Sequence, residues 1–290
     1  MPAVRRQYRV ECTMGKKTFL IDVDKCSGCE LCTIACKDEH VGSSYSPWTK
    51  PQPDTGHFWI RVQPVERGRI PRVRMSYLPL LCQHCANAAC IKACPEDAIR
   101  RRDDGLVWIE PEKCTGCGLC QEACPYNVIY INAERGIAQK CTGCAHRVDE
   151  GSLPRCVEIC PHDAIIFGDE ADLAFSKVGQ DKALEVYHPE YQAQPRVLWK
   201  GLPKPWIAGT VIDTVSDEVI SGAAITAVDL FEDESASVMS DEFGDFWLKG
   251  LEKDRKYKLE IKKDGCEDYL AIVTTSGEQD LGDICLKKTG

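Results

Sequence analysis

The stretch of sequence that decides the fold is Cys114-Thr-Gly-Cys117-Gly-Leu-Cys120-Gln-Glu-Ala-Cys124-Pro125. Its spacing, C-x2-C-x2-C-x3-C-P, is that of a bacterial iron-sulfur binding loop. In such a loop the first three thiolates bind one cubane cluster, and the fourth, a helical turn further on, binds a neighbouring cluster. One run of this kind therefore predicts another elsewhere in the chain.

Three further groups of four cysteines meet this expectation. They are Cys26, Cys29, Cys32 and Cys36, followed by Lys37 instead of proline; Cys82, Cys85, Cys90 and Cys94, followed by Pro95; and Cys141, Cys144, Cys156 and Cys160, followed by Pro161. With Cys114, Cys117, Cys120 and Cys124 they account for all but three of the 19 cysteines. We therefore expect all of these grouped cysteines to be ligands of 4Fe-4S clusters.

Other ligand types fit this pattern less well. Zinc ribbons use two cysteine pairs rather than a triplet followed by C-x3-C-P. Disulfide scaffolds are short secreted chains, whereas this chain has 290 residues and places many cysteines close together in sequence. His84, His146 and His162 lie inside the cysteine loops and could replace a ligand, as in Rieske centres, but every loop already holds four cysteines.

The net charge of −9 is unevenly distributed. From Trp206 to the end there are 9 Lys and Arg against 19 Asp and Glu, which leaves about +1 for everything before it. The acidity belongs to the C-terminal part, and no basic stripe marks the cysteine-rich part. We therefore expect no nucleic-acid partner.

The N-terminal segment contains Arg5-Arg6, but no apolar segment of about seven residues follows, so we expect an ordinary N-terminus rather than a twin-arginine signal. No run of about 18 apolar residues occurs, so we expect that any membrane link needs a partner subunit. Because dense thiolate clusters form under reducing conditions, we expect a cytoplasmic location, with co-export to the periplasm on a partner as the alternative.

Short apolar segments flank the cysteine motifs. Thr18–Asp24 and Leu106–Glu110 are predicted as strands that run into the first and third motifs, and the echo of an acidic residue, lysine and cysteine after them marks an internal repeat. Return strands are expected after the later motifs, at Asp97–Ile99, Tyr126–Ile129 and Asp163–Ile166. The segment Ala171–Tyr187 is predicted to form one or two helices with a break at Gly179.

An insertion over residues 37–81 separates the first two motifs. It contains no cysteine and is rich in aromatic and basic residues: Trp48, Trp59, Arg61, Arg67, Arg69, Arg72 and Arg74. Two interpretations are open. The insertion is a docking surface, or it covers the clusters from water and so alters their potential.

The order and spacing of the four motifs resemble the electron-transfer subunits of the molybdopterin oxidoreductases related to dimethyl sulfoxide reductase. Phe167-Gly-Asp169 and Pro195-Arg-Val-Leu-Trp199 are similar to the strap that follows the clusters in that family. The resemblance covers residues 18–202. It implies an α+β fold of two ferredoxin-like halves that bind four 4Fe-4S clusters, here over residues 1–205 with the strap at 167–205.

In that family the motifs are ligated crosswise. Carried over to this sequence, the resemblance implies four ligand sets: Cys26, Cys29 and Cys32 with Cys160; Cys141, Cys144 and Cys156 with Cys36; Cys82, Cys85 and Cys90 with Cys124; and Cys114, Cys117 and Cys120 with Cys94. The first and last motifs then form one half, nearer the catalytic metal, and the middle two form the outer half. Lys37 departs from the usual proline, but that position is not a ligand.

Residues 206–290 differ in kind, after the proline-marked boundary Gly201–Pro205. Four segments alternate apolar and polar residues between turn signals, which predicts a small β-sandwich: Gly209–Asp213, Ile220–Ala227, Ser240–Trp247 and Tyr257–Ile261. This pattern resembles the carboxypeptidase regulatory-like, transthyretin-like module. Asp213, Asp217 and Asp241 suggest calcium, but we expect them to be solvated turn carboxylates.

Cys12, Cys266 and Cys285 remain outside the motifs. Cys266 and Cys285 are expected to be small core hydrophobes, with a disulfide between them as the alternative.

The resemblance implies an electron relay rather than a catalyst, with no catalytic residues on this chain. Catalysis would belong to a large partner subunit, in a heterodimer or a multiple of it, that carries molybdopterin with Mo or W. A cluster domain followed by such a β-module is similar to the small subunits of the pyrogallol-phloroglucinol transhydroxylase and catechol dehydroxylase group, which suggests a small aromatic substrate. The alternatives are the small subunit of a redox-neutral transhydroxylase and a stand-alone polyferredoxin.

Overall fold

In the computed structural model of the chain, residues 15–175, 184–232 and 234–289 are described. The chain divides into two compact units. The first extends to Leu202 but excludes Glu66–Met75, and this excluded segment joins the residues from Pro203 onward to form the second. The sequence assigns residues 66–75 to the cluster-binding domain, whereas the structure groups them with the β-rich unit.

The described elements up to Leu202 are mostly short. In chain order they are β1 (Lys17–Asp22), α1 (Leu31–His40), β2 (Ile60–Arg69), β3 (Arg72–Leu81), α2 (Ala89–Lys92), β4 (Ile99–Arg101), β5 (Val107–Ile109), α3 (Leu119–Ala123), β6 (Tyr130–Asn132), β7 (Ile137–Gln139), α4 (Ala145–Asp149), α5 (Arg155–Glu158), β8 (Ile165–Asp169), α6 (Glu170–Phe175), β9 (Leu184–Val186) and β10 (Val197–Lys200).

Strand β1 is the centre of the first unit. It lies inside a four-stranded sheet of order β8-β1-β10-β9, antiparallel to β8 and parallel to β10. Every residue of β1 is buried, and Phe19 lies opposite both Phe167 and Val197. Because β1 leads into the first cysteine motif and β8 leaves the last one, their pairing brings the first and last motifs together.

Two small hairpins connect the remaining motifs. The hairpin β4–β5 joins the end of the second motif to the start of the third, with Ile99 opposite Ile109. The hairpin β6–β7 does the same for the third and fourth motifs, with Ile131 opposite Ala138. These four residues pack in a small core around Cys120.

Strands outnumber helices, and the helices are shorter than the α+β expectation implies. Among the described residues, only α1 is longer than six residues. The helical expectation for Ala171–Tyr187 is only partly met, since α6 ends at Phe175 and β9 is a strand. Gly179 lies outside the described residues, as do Cys12 and Arg5-Arg6. No helix in the described part of the chain is long and apolar enough to cross a membrane.

The second unit is built from two sheets. Its strands are β11 (Ile207–Asp213), β12 (Ala224–Asp229), β13 (Ser235–Met239), β14 (Asp245–Leu248), β15 (Lys256–Lys262), β16 (Tyr269–Thr274) and β17 (Gln279–Leu286). They form sheets of order β14-β11-β17 and β13-β12-β15-β16. Inward residues of both sheets, among them Val211, Phe246, Leu259 and Ile261, share one core. This is the sandwich that the alternating pattern predicts.

The tip of the hairpin β2–β3 belongs to this second unit. Arg72, at the start of β3, donates to the carboxylates of Asp280 at 2.7 Å and Asp245 at 2.9 Å. Arg67 pairs with Glu278 at 3.2 Å. The acidic charge of the C-terminal residues is therefore partly neutralised by arginines of the insertion.

These contacts limit the docking interpretation of the insertion. The Arg74 guanidinium lies 4.3 Å from the Trp247 ring centroid, and Arg72 is 11% exposed. At the other end of the hairpin, Trp59 and Ile60 are buried in the core of the first unit. The insertion thus supplies core and salt-bridge residues, and Arg67, Arg72 and Arg74 are engaged within the chain.

Two expectations for the C-terminal residues are wrong. Cys285 is exposed, because Ile284 and Leu286 take the inward positions of β17. Asp213 is buried rather than solvated, and its carboxylate accepts the Val215 N–H at 2.8 Å. Alternation decides which residues of a strand point inward, and a one-residue error inverts the assignment.

Cys266 is half-buried against the second core, as the sequence predicts. Its thiol and that of Cys285 are both free, so the disulfide alternative between them is not realised in the structure.

Candidate iron-sulfur centres

The first C-x2-C pair of each of the four motifs shares one backbone feature. The residue before the second cysteine of each pair has a positive φ, at Gly28 (74°), His84 (45°), Gly116 (67°) and Gly143 (68°). Glycine adopts this conformation without steric cost, whereas other residues are strained by it. Three loops therefore carry glycine where the chain turns between two thiols, and the second loop carries a histidine.

The grouped cysteines line four cavities, with four cysteines in each. We call them the Cys26 cavity (Cys26, Cys29, Cys32, Cys160), the Cys141 cavity (Cys36, Cys141, Cys144, Cys156), the Cys82 cavity (Cys82, Cys85, Cys90, Cys124) and the Cys114 cavity (Cys94, Cys114, Cys117, Cys120). Every cavity combines a triplet from one motif with the last cysteine of another. The structure thus brings together all the candidate ligands, in sets that each join two motifs.

The chemistry of these cavities fits an iron-sulfur cluster. Every described cysteine is a free thiol. No three His, Cys, Asp or Glu side chains of the described residues are placed to hold a single metal ion, as a tetrahedral zinc site would require. Four thiols spread around a space larger than one ion match a cubane with one ligand at each corner.

Electrostatics leads to the same conclusion. Burial raises the pKa of Cys85 and of Cys32 to about 12. It also raises the pKa of Cys36 and Cys156 well above the ordinary value. Four neighbouring thiolates are unfavourable in such surroundings unless a positively charged group compensates them, and iron supplies that charge.

Electrostatic interactions between thiols of different cavities indicate which cavities are neighbours. Burial raises the pKa of Cys36, and Cys32 of the Cys26 cavity adds to the rise. Burial likewise raises the pKa of Cys141 to about 12, with the next contribution from Cys82. Cys90, whose pKa burial raises to about 12, is in turn affected by Cys120. The Cys26, Cys141, Cys82 and Cys114 cavities therefore follow one another in that order.

The two ends of this row are open to solvent. Cys29 of the Cys26 cavity and Cys117 of the Cys114 cavity are exposed, whereas Cys36, Cys141, Cys144 and Cys156 of the Cys141 cavity are all buried. The two outer cavities therefore each present one cysteine to solvent, whereas the Cys141 cavity is shielded from it.

Backbone amides are directed at several of the sulfurs. Ala138 N–H donates to Cys114 Sγ at 3.2 Å, and Gly143 N–H donates to Cys141 Sγ at 3.3 Å. Hydrogen bonds of this kind stabilise the reduced state of a cluster, so they raise its potential.

The loop histidines have separate surroundings. His146 Nε2 lies 3.0 Å from Glu39 Oε1, and its ring stacks on Tyr45, which engages it outside the cavities. His162 is exposed at the edge of the Cys26 cavity. His84 is buried, with its ring Nε2 3.9 Å from Cys141 Sγ.

Lys140 is a residue that the motif analysis did not single out. It is 2% exposed, and its Nζ donates to the carbonyl oxygens of Val107 and Cys141. Its side chain lines the Cys82 cavity. The signal was present in the sequence, because Lys25, Lys113 and Lys140 all directly precede the first cysteine of a motif.

Protein families match most of the chain. The 4Fe-4S dicluster domain matches residues 73–170, and a 4Fe-4S binding domain matches residues 23–42. The carboxypeptidase regulatory-like domain matches residues 206–286, as the resemblance of the C-terminal pattern implies.

Similar proteins extend this result over nearly the full length. The small subunit of pyrogallol hydroxytransferase from Pelobacter acidigallici is 35% identical, with 94% of this chain and all of the relative covered. A putative iron-sulfur subunit of dimethyl sulfoxide reductase from Halobacterium salinarum is 36% identical over 63% of this chain and 74% of the relative. A tetrathionate reductase subunit from Salmonella typhimurium is 37% identical over 65% of this chain and 74% of the relative.

Proposed function

We propose, because this chain belongs to the iron-sulfur electron-transfer subunits of the molybdopterin oxidoreductases, that it relays single electrons through four 4Fe-4S clusters. The electrons pass to or from a large catalytic subunit. The observation that carries this proposal is the arrangement of the thiols in four cavities of four cysteines each. A bound cluster would supply reversible one-electron redox chemistry. The chain itself supplies ligands, shielding and hydrogen bonds.

The proposed ligands of each cluster are the four cysteines of one cavity. The separation of the triplets from their fourth ligands supports crosswise ligation, since Cys160 lies with the first motif and Cys36 with the last. A cluster held in this way links two distant segments of the chain. Each half of the relay then needs both of its motifs to assemble.

The proposed path runs from one exposed end to the other. In the family the first and last motifs lie nearer the catalytic metal, so the Cys26 cavity is the proposed end for the catalytic subunit. The Cys114 cavity, with exposed Cys117, is then the end at which an external electron donor or acceptor docks. Cluster potentials along this path depend on sulfur hydrogen bonds and exposure.

The proposed partner is a large subunit that binds Mo or W through molybdopterin, and the proposed substrate class is small hydroxylated aromatics. The full-length relative that supports this class is the small subunit of pyrogallol hydroxytransferase. A complete Cys114 cavity at the outer end is useful only if electrons leave or enter the complex. We therefore propose a net reductase, such as an aromatic dehydroxylase, with a redox-neutral transhydroxylase as the second candidate. The proposed compartment is the cytoplasm, where thiols stay reduced.

The test is isolation of the native complex under anaerobic conditions. We expect a large molybdopterin-containing subunit to co-purify, and we expect chemically reduced clusters to be reoxidised when an electron-accepting aromatic substrate is added. A chain that purifies alone and exchanges electrons only with small soluble carriers would instead be a polyferredoxin.

A further inference from the structure

His84 occupies a backbone position at which the other three loops have glycine. Its φ of 45° lies in the left-handed region, which costs free energy for any residue with a side chain. Glycine would remove this cost, as Gly28, Gly116 and Gly143 do in the equivalent positions. The side chain of His84 is therefore expected to contribute something that compensates the strain.

The hydrogen bonds of His84 connect two cavities. Its backbone N–H donates to Cys82 Sγ at 3.5 Å. The Val107 N–H donates to the ring Nδ1 at 3.0 Å, so Nδ1 is the acceptor and the proton of the neutral ring lies on Nε2. That Nε2–H faces Cys141 Sγ at 3.9 Å. One residue thus donates to a sulfur of the Cys82 cavity and to a sulfur of the Cys141 cavity.

Lys140 lies at the same junction. Its ammonium is held by the carbonyl oxygens of Val107, the residue that also fixes the His84 ring, and of Cys141. Cys82 and Cys90 line the same cavity as the Lys140 side chain, and Cys141 follows Lys140 directly in the chain. No carboxylate of the described residues forms a salt bridge with Lys140, so its charge acts on the thiol groups.

The other two Lys-Cys pairs differ from this one. Lys25 is 46% exposed and lies 4.0 Å from Asp22, and Lys113 is 41% exposed and lies 3.0 Å from Glu110. Solvent and a carboxylate screen both of those charges. Burial next to two cavities is thus particular to Lys140.

We propose that His84 and Lys140 form the junction between the two halves of the relay, and that they raise the reduction potentials of the two middle clusters so that electrons pass between the Cys82 and Cys141 cavities. This inference rests on the proposed function. A positive charge and a hydrogen bond to sulfur both stabilise the extra negative charge of a reduced cluster. The junction is needed because each half is assembled separately from two motifs, and His84 and Lys140 contact sulfurs or cavity walls of both halves.

The test compares Lys140→Met with Lys113→Met in the anaerobic complex. The iron content of each variant is measured first. The reduction potentials of the clusters are then determined by a redox titration monitored by EPR. We expect Lys140→Met to retain its iron and to lower the reduction potentials of the clusters in the Cys82 and Cys141 cavities. The larger shift is expected for the Cys82 cluster, because Lys140 lines that cavity. Lys113→Met should leave all steps in place, because its charge is exposed and paired.

A second variant, His84→Phe, keeps a ring of similar size and the backbone N–H to Cys82 but removes the donor to Cys141. We expect it to lower the potential of the Cys141 cluster alone. Unshifted potentials in both junction variants with full iron content would overturn the inference and leave the four-cluster relay intact. Loss of iron in both would assign them a purely structural role, which also contradicts it. A wild-type chain without four clusters would instead contradict the proposed function.

Discussion

Cys94 and Cys117 line one cavity, although Cys94 closes the second cysteine motif and Cys117 belongs to the third. The hairpin β4–β5 connects these two motifs, and its pairing of Ile99 with Ile109 brings their ends together. A cluster in this cavity would therefore be bound by both motifs at once. The consequence is that loss of the last cysteine of the second motif should damage the cluster whose other three ligands belong to the third motif.

The first prediction follows from this crossing. Cys94→Ser should damage the cluster in the Cys114 cavity and leave the cluster in the Cys82 cavity intact, because Cys94 does not line the latter. EPR of the reduced variant checks this by showing which signal is lost. Cys90→Ser is the matched control and should affect the Cys82 cavity. Loss of the same signal in both variants would contradict crosswise ligation.

The second prediction concerns the whole complex. If electrons enter or leave the complex at the outer end, turnover should require a chemical electron donor or acceptor. Turnover should also fall sharply in Cys117→Ser, because Cys117 is an exposed cysteine of the Cys114 cavity. A steady-state assay with and without an electron partner measures this. Full activity without any partner, unaffected by the substitution, would identify a redox-neutral transhydroxylase.

The third prediction concerns truncation of residues 206–290. Iron content should be nearly unchanged, because no cysteine of the four cavities lies in that segment. The hairpin tip Glu66–Met75 should lose protection, since Arg67 and Arg72 lose their partners Glu278 and Asp280. Hydrogen exchange measured by mass spectrometry reports on the tip. A tip that stays protected would show that these ion pairs do not order it.

The fourth prediction concerns the arginine that anchors this tip. Arg72→Met should destabilise the second unit by about 2 kcal/mol, because it removes charge-assisted hydrogen bonds to the partly buried carboxylates of Asp245 and Asp280. Arg69, on the same tip but exposed, is the control, and Arg69→Met should cost less than about 0.5 kcal/mol. Denaturant unfolding followed by Trp247 fluorescence compares the two. Equal effects would mean that the Arg72 pairs contribute little.

The fifth prediction concerns metal removal. Stripping iron should unfold or loosen the first unit, in which cavity cysteines such as Cys32, Cys36 and Cys82 are part of the apolar core. The second unit should remain folded because its core contains no cavity cysteine. Calorimetry should then show one transition lost and one retained. Loss of both would mean that the two units fold as one.

The grouping of the cysteines was predictable from the sequence, because the spacing of the ligands is a local property that does not depend on the rest of the fold. It also located the strands that alternate, such as β11 and β15. The sequence did not predict that the hairpin tip belongs to the second unit. Arg72 and Asp280 are far apart in sequence, and their pairing depends on tertiary structure. Lys140 was missed for the same reason, since a lysine directly before a cysteine is exposed at two of the three positions where it occurs.

The iron and acid-labile sulfide content of the anaerobically purified protein tests the central claim most directly. Four cavities with four cysteines each predict about 16 iron and about 16 sulfide atoms per chain, as four cubanes require. A content near 12 of each would mean that one cavity holds no complete cluster, and stoichiometric zinc with little sulfide would contradict the four-cluster relay altogether.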